Sequence, residues 1–209
     1  MNLFPLDYPI TLSEKDGLLR YFGPIFSPST QCSFFERLLL SIQWEQEKVT
    51  LYGKSHLLNR KTALYAKQKR TYTYSGETKH TKEWTPLLET IENELSRHIQ
   101  ANFNTCLLNY YPNGSDKMGF HSDNEPEIVP CSTIASLSFG AERYFDVKHT
   151  SELIQHRILL ENGSLLTMEN EFQQYWKHQL PQMKTVTQPR INLTFRLLHY
   201  PLLLQRVIG

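Results

Sequence analysis

From Cys106 onward the chain gives up helical spacing for short apolar segments, each closed by turn residues. Candidate strands are 106–111, 117–121, 131–139, 143–148, 155–160, 164–168, 174–179 and 190–199. Asn113-Gly114 and Asn162-Gly163 are dipeptides of the hairpin type. About eight strands in roughly 95 residues predict a two-sheet jelly roll. The expected fold class is mainly β with flanking helices (α+β).

The residues before this run supply the flanks. Phe34, Phe35, Leu38, Leu39 and Ile42 recur at i, i+3/i+4, and Ser33 with Glu36 has the form of a capping box. A helix is expected over about 28–47. Leu88, Ile91, Leu95 and Ile99 share one face, with Glu89, Glu92, Glu94 and Arg97 turned away, which predicts a second helix over 84–102 backing a sheet. His98 beside that face reads as a packed or surface residue. VTLYG at 49–53 alternates like a strand and ends in a glycine turn. The expected division is an extended arm over 1–30 with room for a short strand, and helices and substrate-binding hairpins over 31–105. The jelly-roll catalytic core follows over 106–200, then an apolar tail over 201–209. At 209 residues these form one domain overall.

Chemistry enters with LLNYYPNGSDKMGFHSDNE. His121 and Asp123 are two apart, and alternate side chains of a strand share a face, so imidazole and carboxylate can converge. That is two-thirds of the 2-His-1-carboxylate set that leaves positions open on non-haem Fe(II). A surface His-Ser-Asp turn has the same sequence. The third ligand must come from the other histidines of the eight. His149 and His156 flank HTSELIQH, which reads as a connecting loop that leaves either free to lie at the surface. His178 follows Tyr175 and Trp176 in an apolar-flanked segment, before the strand that carries Arg190. In RINLTFR, Arg190 and Arg196 share a face with Asn192 and Thr194, while Ile191, Leu193 and Phe195 take the other. Guanidinium groups turned inward need a partner, and their forks match carboxylates. A dicarboxylate with one end on a metal and the other on arginine would use every part.

NYY, HSDNE, SLSFGAERYF, LLENGSLLTM, WKH and RINLTFR together resemble the AlkB-type Fe(II)/2-oxoglutarate dioxygenases over about Val49 to Leu198. The similarity is greatest to members that remove alkyl groups from nucleic-acid bases. The resemblance implies a double-stranded β-helix core, with Fe(II) held by His121, Asp123 and His178, and 2-oxoglutarate and O2 as cosubstrates. It assigns Arg190, Tyr111 and Thr194 to the distal carboxylate, and Asn109 and Arg196 to the metal end, with Asn192 in support. Oxidation of an N-methyl group would release formaldehyde and succinate.

The resemblance also places Tyr72 and Tyr74 beside a flipped base and Glu125 at its edge. A carboxylate there suits cationic bases such as 1-methyladenine and 3-methylcytosine. Tyr52 falls where a duplex-acting relative carries a phenylalanine finger. Lys54, Arg60, Lys61, Lys67, Lys69 and Arg70 form a basic run with no acidic residue between them. Interleaved with tyrosines, such a run suits phosphates and stacked bases, and it equally suits a solvated face. The partner expected is alkylated DNA or RNA, met by a monomer. A 2-oxoglutarate oxygenase of protein, lipid or a small molecule would share the iron residues without needing the basic run. A non-catalytic nucleic-acid binding domain would not need the intact ligand set. The three cysteines, Cys32, Cys106 and Cys131, lack metal-type spacing, and no apolar run approaches the roughly 18 residues of a membrane span. These features predict a cytoplasmic protein, or a nuclear one in a eukaryote.

Overall fold

In RINLTFR, Ile191, Leu193 and Phe195 are fully buried against helices, while Arg190, Asn192, Thr194 and Arg196 are buried on the opposite side. This strand is the middle of the molecule. The computed structural model describes residues 8–51, 54–68, 71–74 and 77–199, with side chains omitted at 47–51, 54–56, 71–74 and 77–79.

In chain order the strands are β1 (Ile10–Ser13), β2 (Leu18–Pro24), β3 (Glu45–Leu51), β4 (Lys54–Ala66), β5 (Thr71–Tyr74), β6 (Glu77–His80), β7 (Lys82–Glu83), β8 (Thr105–Tyr111), β9 (Met118–His121), β10 (Ile134–Gly140), β11 (Arg143–His149), β12 (Gln155–Leu160), β13 (Ser164–Glu169), β14 (Trp176–Leu180) and β15 (Arg190–Arg196). Helices are α1 (Pro28–Ser41), α2 (Pro86–Leu95) and the single turn α3 (Phe172–Tyr175). The major sheet runs β1-β2-β13-β10-β15-β8-β4-β3, with β7 parallel to β4. A four-stranded sheet, β12-β11-β14-β9, faces it, and β5 pairs with β6. Among the described residues this is the expected jelly roll. No helix among them is long and apolar enough to cross a membrane.

Two apolar layers hold the sheets in place. α1 and α2 bury Phe34, Leu38, Leu88, Ile91 and Leu95 against the outer face of the major sheet. Phe145, Val147, Leu166, Phe172 and Trp176 fill one end between the sheets. Each fully buried side chain of this size stabilises by about 1.5–3 kcal/mol. The other end of the inter-sheet space is polar, and it holds the candidate site.

Several local expectations change. Ser27, not Ser33, caps α1, accepting from Thr30 N at 3.3 Å, because Pro28 sets the first turn. The helix ends at Ser41, since residues from Glu45 pair with β4 as β3. α2 starts at Pro86 under a Thr85 cap and stops at Leu95, although Ile99 still packs on the same face. Asn113-Gly114 and Asn162-Gly163 do not close hairpins. Each joins a strand of one sheet to a strand of the other, as corners of the roll. At the second corner Gly163 has φ +73°, and Asn162 Oδ1 accepts from Gly140 N at 2.9 Å. The arm contributes two strands, with β2 paired along β13. The expected tail at 201–209 lies outside the described residues.

Candidate active site

β14 pairs with β9 so that His178 stands directly across from His121. The chain leaves β9 and turns Asp123 back between them. His121 Nε2 lies 3.7 Å and His178 Nε2 4.0 Å from Asp123 Oδ1. All three ligand atoms fall within 4.8 Å of one another. The His121 Nδ1 contacts the Gly119 carbonyl at 2.8 Å, and a carbonyl only accepts. Nδ1 therefore carries the hydrogen, and the Nε2 lone pair points to the common centre. Asp123 Oδ2 accepts from Arg196 Nη2 at 2.7 Å, while Oδ1 is buried with no hydrogen-bond partner. An orphaned carboxylate oxygen between two imidazole nitrogens fits a divalent cation held by a facial N,N,O set.

The protonation states agree. Burial alone would raise the Asp123 carboxyl, but Arg196, His178 and His121 outweigh it and hold it below the usual carboxylate range. Burial pulls the His178 imidazole down to about 4 from 6.5. The folded chain thus offers a neutral imidazole and an anion at neutral pH. Between pH 6.5 and about 4 the unfolded chain takes a proton that folded His178 refuses. Stability of metal-free protein should therefore fall as pH drops through that window, by about 3 kcal/mol. Denaturant melts across the window should show this slope, and His178→Leu should lack it.

Two hydrogen bonds tie the Asp123 turn to the segment carrying His178. Ser122 Oγ donates to the Trp176 carbonyl at 2.7 Å, and Asp123 N donates to Gln173 Oε1 at 2.8 Å. Gln173 is a site residue that sequence reading missed, since one glutamine in EFQQY carries no signal. Gln173→Ala should weaken Co(II) binding about 10–100-fold, while Gln173→Glu, which keeps an acceptor oxygen, should retain most of it. Metal titration followed by visible absorbance measures both.

The second half of the site lies on β15 and β8, where Arg190 pairs with Tyr111 and Asn192 with Asn109. Arg190 is buried, donates to Ser138 Oγ at 3.0 Å, and lies 5.5 Å from the Tyr111 ring centre. Its Nε has no partner, and no carboxylate among the described residues pairs with it. Burial lowers it to about 10, with Tyr111 opposing and neighbouring Arg143 adding to the fall. A buried cation in that state is a receptor for an anion. Asn192 donates to Ser136 Oγ and the Leu137 carbonyl, and accepts from Thr194 Oγ1. It thus orients Thr194. Asn109, Tyr111, His121, Asp123, His178, Thr194 and Arg196 line one cavity, with Met118, Phe145, Met168 and Leu180 as apolar walls. Arg190 and Asn192 are not part of that lining.

Ser136 and Ser138 were not anticipated, although their alternation in SLSFG was the available signal. Arg143 was also missed. It is fully buried and its guanidinium donates to the carbonyls of Asn113, Asp116 and Pro181, which ties the β8–β9 and β14–β15 connections together.

Of the residues expected at the substrate, Arg60, Lys61 and Glu125 have described side chains. Arg60 is buried and reaches Met118 Sδ at 3.5 Å, while Lys61, next along β4, is exposed on the other side of the sheet. Glu125 is half-buried on the loop after Asp123, beside a second cavity shared with Ile128, Cys131 and Gln173. Tyr52 lies outside the described residues, as do Lys69 and Arg70 and the side chains of Tyr72, Tyr74 and Lys54. Lys67 is drawn to α2, with Glu92 at 2.7 Å and the Trp84 ring at 5.5 Å. His149, read as free to lie at the surface, is buried. Its Nε2 meets Asp16 Oδ2 at 3.1 Å and its ring lies edge-on to Trp176. The cause is the arm, whose residues Lys15 and Asp16 cover that end of the sheet.

The family model described as 2OG-Fe(II) oxygenase superfamily matches residues 18–196. DNA oxidative demethylase ALKBH2 of Mus musculus is 42% identical over 196 residues, which cover 88% of this chain and 81% of that protein. Alpha-ketoglutarate-dependent dioxygenase alkB homolog 3 of Homo sapiens is 34% identical over 171 residues, covering 77% of this chain and 59% of that one. The solved structure of OsALKBH1 superposes with a TM-score of 0.56 at 16% identity, over 86% of this chain and 97% of that chain, which is a likeness of fold. The ligand geometry, the roll and the extent of these matches agree: the chain belongs to the 2OG-Fe(II) oxygenase superfamily, as an AlkB-type dioxygenase that uses Fe(II), 2-oxoglutarate and O2.

Proposed function

We propose that the chain oxidatively demethylates alkylated bases in nucleic acid, with His121, Asp123 and His178 as iron ligands. One observation carries this reading. The partnerless Asp123 oxygen lies between two imidazole nitrogens, with the uncompensated Arg190 cation on the facing sheet. When bound, Fe(II) with 2-oxoglutarate and O2 supplies the oxidising power to hydroxylate a C–H bond, leaving succinate and CO2.

The chain's own work is positioning. Arg190, with Tyr111 and Thr194, receives the distal carboxylate of 2-oxoglutarate, and Asn109 and Arg196 border its metal end. Arg196 also holds Asp123 anionic through the 2.7 Å hydrogen bond. Phe145, stacked 5.3 Å from His178, and Leu180 keep water from the ligands. The relatives named DNA oxidative demethylases support a nucleic-acid substrate. A base must leave the stack to reach a buried site. Tyr72 and Tyr74 are proposed to stack on it, Glu125 to face its cationic edge, Tyr52 to wedge the gap, and Arg60 and Lys61 to bind nearby phosphates. A hydroxylated N-methyl group then breaks down to formaldehyde and the restored base. Succinate and formaldehyde should appear in equal amounts when an oligonucleotide bearing 1-methyladenine is supplied. Succinate without formaldehyde would discard the demethylase reading and keep the oxygenase.

A further inference from the structure

β9 is an outer strand of the four-stranded sheet. A polymer that delivers one residue to the site beside His121 has an open route over β9 onto that sheet's outer face. The pleat turns Phe120, next to His121, and Lys177, next to His178, outward to this face. Lys148 of β11 stands directly opposite Lys177, and both are exposed. Like charges in directly opposed positions repel, and no carboxylate among the described residues pairs with either. The Lys148 ammonium instead lies 4.2 Å from the centre of the Phe120 ring, which is 38% exposed. A shallow depression bounded by Lys148, Lys177, Ser151 and Gln155 adjoins them. Of the acidic groups nearby, Asp146 is paired with Arg157 at 2.6 and 2.9 Å, and Glu152 shares Lys15 with Asp16, at 3.1 and 3.3 Å.

We infer that Phe120, Lys148 and Lys177 form a clamp for the phosphate backbone of the strand that carries the target base. The inference rests on the demethylase reading and adds a surface to it. Two cations that repel in the free protein gain most from an anion bridging them, and an exposed ring beside them gives a base or sugar a face to stack on. A phosphodiester strand supplies both groups in the right order, because the base that leaves for the site is joined to neighbours on either side. The clamp predicts binding without base preference and with strong dependence on salt.

The test compares the full chain with Lys148→Ala/Lys177→Ala and with Phe120→Ala, by fluorescence anisotropy on a single-stranded oligonucleotide bearing one 1-methyladenine. The double variant should bind about tenfold more weakly near 0.1 M salt, with a log–log salt slope shallower by about 1–2. Its thermal stability should hold or rise, since the opposed charges are gone. Its turnover of a methylated mononucleotide, too short to reach the face, should be unchanged. Phe120→Ala should weaken binding and leave the salt slope as it was. Equal affinity and slope in wild type and double variant would overturn the clamp while leaving demethylation standing. Equal loss of turnover on mononucleotide and oligonucleotide would also overturn it, as would polyglutamate competing as well as the oligonucleotide. A wild-type chain that binds no oligonucleotide would sink clamp and demethylase reading together.

Discussion

Asp123→Ala is expected to abolish turnover and to weaken Co(II) or Fe(II) binding by more than about 100-fold. Outer partners of metal ligands are worth about 10–100-fold each, and Asp123 supplies both the only anionic donor atom and the link to Arg196. The same change removes the carboxylate that Arg196 meets in the interior. Breaking a buried pair from one side costs about 3–5 kcal/mol, so the variant should also melt lower. Asp123→Asn separates the two losses. It keeps the shape and an oxygen acceptor for Arg196 but gives up the charge, and should recover more stability than metal affinity. Metal titration and thermal melts on the three proteins distinguish them; an alanine variant that binds metal like wild type would remove Asp123 from the ligand set.

Arg190→Met is expected to raise KM for 2-oxoglutarate by about 10–100-fold, the worth of a hydrogen bond to a charged group at about 1.5–3 kcal/mol. kcat at saturating 2-oxoglutarate should change little, because a contact with the distal carboxylate is made equally in ground and transition states. Stability should not fall. The cation sits in a buried place where its neighbour is Arg143 and no carboxylate answers it, so an apolar replacement relieves an electrostatic cost. A 2-oxo acid without the distal carboxylate provides the control, since it should be used equally poorly by wild type and variant. If the variant kept the wild-type KM, the distal carboxylate would lie elsewhere.

The centre of the molecule was legible because strand period is unforgiving. In RINLTFR a residue either faces the helices or the inter-sheet space, and the chemistry of each set declared which. The pairing of His121 with His178 could not be read, since it depends on β14 lying beside β9 across a long stretch of chain. What failed was local signal overridden by tertiary partners. Ser33 with Glu36 satisfied a capping pattern, yet Ser27 caps the helix, whose start at Pro28 is where its expected span began. The two Asn-Gly pairs were read as hairpins because turn chemistry specifies a bend and not which sheet receives the next strand. His149 was read as free to lie at the surface because its neighbours are polar, and arm residues more than a hundred positions away cover it. The basic run was read as one surface, but period 2 divides Arg60 from Lys61, and Lys67 is engaged by Glu92.

The most direct test of the account uses one oligonucleotide carrying a single 1-methyladenine, incubated with the chain, Fe(II), 2-oxoglutarate and ascorbate, and weighed by mass spectrometry. The account predicts loss of the mass of one CH2 that requires both 2-oxoglutarate and Asp123, with Asp123→Ala leaving the oligonucleotide unchanged. An oligonucleotide of unaltered mass in the presence of succinate formation would contradict base demethylation, and an unaltered mass with no succinate would contradict the oxygenase itself.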